Sequence, residues 1–244
     1  MLLSLLVTLV GFYFVCSENT LPSFLHVCKR DDQHLSECVI KSIEYLRPYL
    51  IKGIPEYNIP SLEPLIMENF FSDETQTLKI VVNNVSAYGC SNFTISNLSI
   101  NLLNHEVIID VEIPQLMIEA QYTLDGKILL VPVKGTGNLE ANITDIGARA
   151  KLKGEPYEKD GDIYVRHREI KLKARVGGGS VRLKNLFNDK DKVLLTIIND
   201  AINRNLQPFL DQLMPIIENA LGRVFLNAGN GIMESFSFNQ LFPK

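Results

Sequence analysis

A chain of 244 residues has room for one large domain or two small ones, and 46% hydrophobic with 21% charged residues is globular composition, not that of a disordered tail. A net charge of -4 and the absence of tryptophan argue against binding along a phosphate backbone and against a stacking platform for single-stranded nucleic acid. Four cysteines are too few for a disulfide-dense miniature scaffold.

In chain order, the first segment is MLLSLLVTLVGFYFVCS, which carries no charged side chain. Its apolar run from Leu5 to Cys16 suits the hydrophobic region of a secretory signal and is short for a membrane span, although no Lys or Arg precedes it. Residues 1–17 are read as a signal peptide, and 18–244 as one domain of a secreted, extracellular protein. Cleavage leaves Cys28, Cys38 and Cys90. In an oxidising compartment a Cys28–Cys38 bridge closes a short polar loop and contributes about 2–3 kcal/mol on the chain-entropy model. His26 and His34 lie nearby, but the four residues lack the paired spacing of a structural zinc site, so no metal is expected. Cys90 is left as a buried thiol. Asn84, Asn92, Asn97 and Asn142 head Asn-x-Ser/Thr sequons and are glycan acceptors where exposed.

Val39, Ile43, Leu46 and Leu50 recur at helical steps; Pro48 should kink this short helix, Gly53 should end it, and Pro55, Pro60 and Pro64 make the following stretch an extended connector. From Leu78 to Val176 the period drops to two, with sets such as Val107, Ile109, Val111 and Ile113, the mark of one-sided antiparallel strands. Asp125-Gly126 and Asp160-Gly161 are read as hairpin turns, and phase slips near Pro114 and Gly147 as bulges of a strongly curved sheet. From Asp189, a reasonable N-cap, to about Leu226 the helical period returns, with Gly229 as the stop. A helix of that extent is on the order of 55 Å long, bent at Pro208 and Pro215, and only the sheet is large enough to cover its apolar stripe. The expected architecture is α+β: a highly curved antiparallel sheet wrapped around one long C-terminal helix.

Three segments then bring a family into view: LPSFLHVCKRDDQHLSECVIKSIEYLRPYLIKGIPEYNIPSLEPL, IPQLMIEAQYTLDGKILLVPVKGTGN, and NLFNDKDKVLLTIINDAINRNLQPFLDQLMPIIENALGRVFL with the closing QLFPK. Together they resemble the insect takeout and juvenile-hormone-binding protein family over essentially the whole mature chain. The resemblance implies a TULIP-type wrap of sheet around helix, the Cys28–Cys38 disulfide, and a tunnel for a juvenile-hormone-like, terpenoid or fatty-acid-like ligand. It also implies a secreted carrier in haemolymph or chemosensory fluid, with links to feeding and circadian output. Only Cys90 is left for the second disulfide of the hormone-binding members, which favours the broader takeout branch.

On this reading the tunnel is lined by Ile109, Val111, Ile113 and Tyr122 from strands and by Ile198, Asn205, Phe209 and Leu213 from the helix. Periodicity alone equally describes a filled core, and Asn205 equally a side chain satisfying the helix backbone beside Pro208. No nucleophile elbow, zinc-protease helix motif or phosphate loop occurs, and the four histidines are scattered, so no catalytic residue and no cofactor are expected. Lys171, Lys173 and Arg175 share one face of a strand, which points either to contact with a membrane or receptor or to a solvated outer face. The protein is expected to act as a monomeric carrier of a small hydrophobic ligand; the alternative is an extracellular signalling or interaction protein with a filled core.

Overall fold

The computed structural model describes residues 21–74, 78–128, 131–187 and 192–244; the expected signal peptide and the Asp189 cap lie outside them. Three long strands carry the architecture: β4 (Glu106–Ile128), β5 (Val131–Lys159) and β6 (Asp162–Lys184). With β1 (Leu65–Glu74) and β2 (Leu78–Tyr88) they form one antiparallel sheet in the order β1-β2-β4-β5-β6, and β3 (Thr94–Asn101) pairs with the first part of β4. Helix α1 (Leu35–Lys52) precedes the sheet, and α2 (Lys192–Arg204), α3 (Leu206–Met233) and the short α4 (Phe238–Leu241) follow it.

The inward-facing set changes parity half-way along the three long strands. On β4 it runs Ile109, Val111, Ile113 and then Leu116, Ile118, Ala120; on β5, Ala141 and Ile143 and then Ile146, Ala148 and Ala150; on β6, Val176 and Val181 flank Gly177–Gly179. The change sits at Pro114, at Asp145 (φ 55°) and at Gly179 (φ 143°), and only the last needs glycine's freedom. Register is kept, since Ile113 faces Ile146 and Gln115 faces Thr144, so the strands kink as one. The expected phase change is therefore present without a bulge between β4 and β5. Register shifts lie elsewhere: Asn69/Phe71, Asn83/Ser86, Ile95/Asn97 and Lys153/Gly154.

Three turn and helix expectations are corrected. Asp160 (φ 55°) and Gly161 (φ 85°) make the β5–β6 hairpin, but Asp125 and Gly126 stay inside β4, paired with Lys134 and Val133, and the ladder runs on to Ile128 against Val131. The single C-terminal rod is two helices broken at Asn205. Pro208 has no N–H for the Arg204 carbonyl, so the chain restarts there, whereas Pro215 is accommodated inside α3. Gly229 does not stop α3, which continues to Met233 because Gly231 lets it lie against the backbone of Tyr57, where a Cβ would come within 1.6 Å of the carbonyl oxygen.

Among the described residues no strand lies beside the outer edge of β6, and helix side chains satisfy it instead. Asn199 and Asn203 on α2 bond both backbone groups of Leu183 and Val181, Asn230 on α3 does the same for His167, and Glu218 accepts from the N–H of Ala174 at 3.0 Å. Each contact removes an orphan backbone group and ties the helices to the sheet. At the N-terminal side, Cys28 and Cys38 are disulfide-bonded, and Arg30 donates to the Phe242 carbonyl at 2.9 Å and to Asn239 at 2.6 Å, which fixes the first residues against the last.

Candidate functional site

Wrap and helix do not fill their interior evenly. Around α2 the packing is solid: Ile198 and Ile202 are 1% and 0% exposed, in one cluster with Leu124, Val133, Leu183 and Leu186. Opposite α3 the sheet wall narrows to alanine, at Ala87, Ala120, Ala141, Ala148, Ala150 and Ala174, and a cavity of about 550 Å³ opens between the layers. Its reality shows in the strands: Ile109, Val111 and Ile113 point inward yet are only half-buried. Leu213, Met214, Ile217, Leu221 and Phe225 of α3 close one side, and Ile43 of α1 with Leu62 and Phe93 closes the end. From Phe209 to Phe225 the cavity follows α3 for about 24 Å. Left empty, a void of this size forgoes on the order of 10 kcal/mol of packing, comparable with the whole net stability of a domain.

The wall is chemically bare. Among the described residues lining it none is charged, and its only hydroxyl and thiol belong to Tyr122 and Cys90. Tyr122 donates to the Lys184 carbonyl at 3.0 Å, and burial pushes its hydroxyl up to about 12. Burial, reinforced by the Glu63 carboxylate, pushes the Cys90 thiol up to about 11, and its sulfur lies 3.6 Å from the Ala87 carbonyl. Glu63 itself accepts from the N–H groups of Gly89 and Ser91 at 2.9 and 2.8 Å; these bonds outweigh its desolvation and hold its carboxyl below the usual range. A second depression, lined by Asn58, Asn227, Asn230 and Glu234, is polar, and its Glu234 is paired with Arg166 at 2.6 Å.

Six of the eight residues expected at the tunnel lie on this wall: Ile109, Val111, Ile113, Tyr122, Phe209 and Leu213. Ile198 does not, because α2 packs against large side chains and leaves no space there. Asn205 does not either: it is exposed, and its amide donates to the Ala201 carbonyl at 2.9 Å. The alanine column, the α1 contribution and the β1 residues Leu65 and Met67 were not anticipated. A run of small residues on an inward parity was the available signal for the first; β1 was hidden by its bulge, which breaks the alternation.

The sequence and the fold both match known proteins over most of the chain. The family model described as haemolymph juvenile hormone binding protein matches residues 2–243. This chain belongs to the haemolymph juvenile hormone binding protein family. Within curated relatives it is 24% identical over 241 residues to the circadian clock-controlled protein daywake of Drosophila melanogaster, covering 94% of this chain and 91% of that one. It is 22% identical over 210 residues to a putative beta-carotene-binding protein of Schistocerca gregaria, covering 83% and 81%. In fold it is similar to the crystal structure of Epiphyas postvittana Takeout 1, with TM-score 0.77, 18% identity, and coverage of 89% of this chain and 99% of that one.

Seen as a member of this family, the chain places its remaining candidate residues outside the cavity. Lys171, Lys173 and Arg175 each meet a carboxylate, Glu169 at 3.3 Å, Glu218 at 2.7 Å and Glu112 at 2.9 Å, so the basic strand face is locally neutralised. All four sequon asparagines are exposed; the side-chain nitrogens of Asn84 and Asn97 donate to Gln121 and Asp110. His26 lies against Tyr45, His34 beside Glu37, and His105 against Phe238, while His167 is buried near the start of β6. Among the described residues no group of three or more His, Cys, Asp or Glu comes together as a metal site.

Proposed function

We propose that this family member is a secreted carrier that holds one small hydrophobic molecule in the cavity beneath α3 and acts by burial alone. The observation that supports it most is the alanine-walled void itself, elongated and free of charged side chains. A ligand with about fifteen carbons gains on the order of 10 kcal/mol from burial, at about 0.8 kcal/mol per methylene. Losses in association and ordering remove several kcal/mol, which leaves micromolar to nanomolar affinity. The relative described as a putative beta-carotene-binding protein fits this class of guest, and the family's hormone-binding description fits a terpenoid. Secretion follows from the reading of residues 1–17, and on it the four exposed sequon asparagines are glycan acceptors, with Asn84, Asn97 and Asn142 hydrogen-bonded to Gln121, Asp110 and Gln115.

Extraction of the purified protein with organic solvent, followed by mass spectrometry, tests the reading. A lipid-like compound in near-stoichiometric yield supports a carrier. Protein that yields none, and that also fails to take up an apolar fluorescent probe, excludes it. Leu213→Trp, which projects a larger ring from α3 into the space, should weaken probe uptake in a folded protein.

A further inference from the structure

We propose that the cavity selects uncharged lipids, accepting esters, alcohols and plain hydrocarbon chains while rejecting ionised carboxylates. This rests on the carrier reading. A buried carboxylate needs hydrogen-bond donors or a cation, and without them it costs several kcal/mol or takes up a proton. The described wall offers neither. Its one hydroxyl already donates to the Lys184 carbonyl, and its one thiol is a weak donor facing the Ala87 carbonyl.

Cations on the strands behind the wall and at its α1 end are paired with carboxylates. Lys173 and Arg175, on β6 behind the wall, pair with Glu218 and Glu112, and Lys184 pairs with Glu140. At the α1 end, the Arg47 guanidinium stacks 3.9 Å over the Phe93 ring, chelates the Glu44 carboxylate and donates to the Ser91 carbonyl. Phe93 lines the cavity, so Arg47 lies just behind the wall at this end, and it is held by its own acid. The two acidic groups of the wall report the same environment: burial drives Tyr122 and Cys90 both toward their neutral forms. Glu63, the carboxylate beside Cys90, adds further repulsion for an anion.

A fatty acid therefore enters as the neutral acid, and its apparent affinity falls with rising pH, while an ester of the same chain is indifferent to pH. The test is displacement of N-phenyl-1-naphthylamine from the full protein by palmitic acid and by methyl palmitate, at pH 8 and pH 5, below self-assembly concentrations. The expected result is an ester at least about tenfold more potent than the acid at pH 8, a gap that closes to about threefold at pH 5 as the carboxyl is protonated. Equal potency at pH 8, or an acid equally inferior at both pH values, overturns the selection and leaves the carrier intact. Failure to take up the probe and both lipids overturns the carrier and the selection together.

Discussion

Asn203 holds Val181 by both ends of its amide: Nδ2 donates to the Val181 carbonyl at 2.7 Å, and Oδ1 accepts from the Val181 N–H at 2.8 Å. One turn earlier, Asn199 does the same for Leu183 at 2.9 and 2.8 Å. Four residues of helix rise about 6 Å, and two residues of strand span about 6.7 Å, so a helix lying along a strand edge can satisfy every second residue. The sheet edge is thereby closed by side chains, and the helix is set at a fixed height above the wall. Asn203→Leu leaves two backbone groups of β6 without partners and should lower stability by about 1–3 kcal/mol in urea unfolding. Asn205→Ala, which loses only a surface bond to Ala201, should stay within about 0.5 kcal/mol.

The alanine wall gives a test whose sign discriminates void from core. Ala150→Leu adds carbon into open space, so it should stabilise the ligand-free protein, by up to about 0.8 kcal/mol per methylene buried. The same change should reduce probe uptake. In a solidly packed interior the substitution would instead destabilise by about 1–3 kcal/mol through overpacking. Thermal melts of delipidated wild type and variant, with a probe titration of each, decide between them.

Cys90 is a built-in reporter of occupancy. Its thiol lines the cavity and is pushed up to about 11 by burial, so alkylation near pH 8 should be slow. A bound apolar ligand should slow it further, by about tenfold or more, because the reagent must share the same space. Peptide-level mass spectrometry of alkylated Cys90, with and without ligand, measures this. Equal rates would place the guest elsewhere.

Acid should loosen the end of the wrap where His167 sits. This ring is 8% exposed, its Nδ1 has no hydrogen-bond partner among the described residues, and its backbone is clasped by Asn230. Burial first, and His105 with it, hold its pKa below the ordinary 6.5, against the opposing pull of Asn230. The unfolded chain therefore binds a proton that the native chain refuses, and stability present at neutral pH is lost as pH falls below about 6.5. Carboxylates with lowered pKa, such as Glu63 and Glu234, act only below their ordinary 4.5, which separates the two windows. Thermal midpoints between pH 7.5 and 5.5 should fall for wild type and flatten for His167→Gln; an unchanged slope would remove His167 from this role.

The one-residue alternation of Ile109, Val111 and Ile113, the four-residue steps of the C-terminal segment and the Cys28–Cys38 spacing are local patterns, and they were enough to announce a sheet, helices and a bridge. Pro208 even marked where the helix would yield, though not that it would break at Asn205. Local pattern could not tell filled from hollow. Ile198 and Phe209 occupy the same kind of helical position and belong to the same buried cluster, yet Phe209 lines the cavity and Ile198 does not. That difference depends on which strand residues the kink at Asp145 brings opposite each helix, a matter of distance between layers. The partners of Lys173 and Arg175 were hidden for the same reason: Glu218 reaches Lys173 only once α3 lies on the sheet, and Glu112 meets Arg175 only through the register of β4, β5 and β6. Sequence periodicity determined which faces turn inward; only the tertiary arrangement decided how much room they leave.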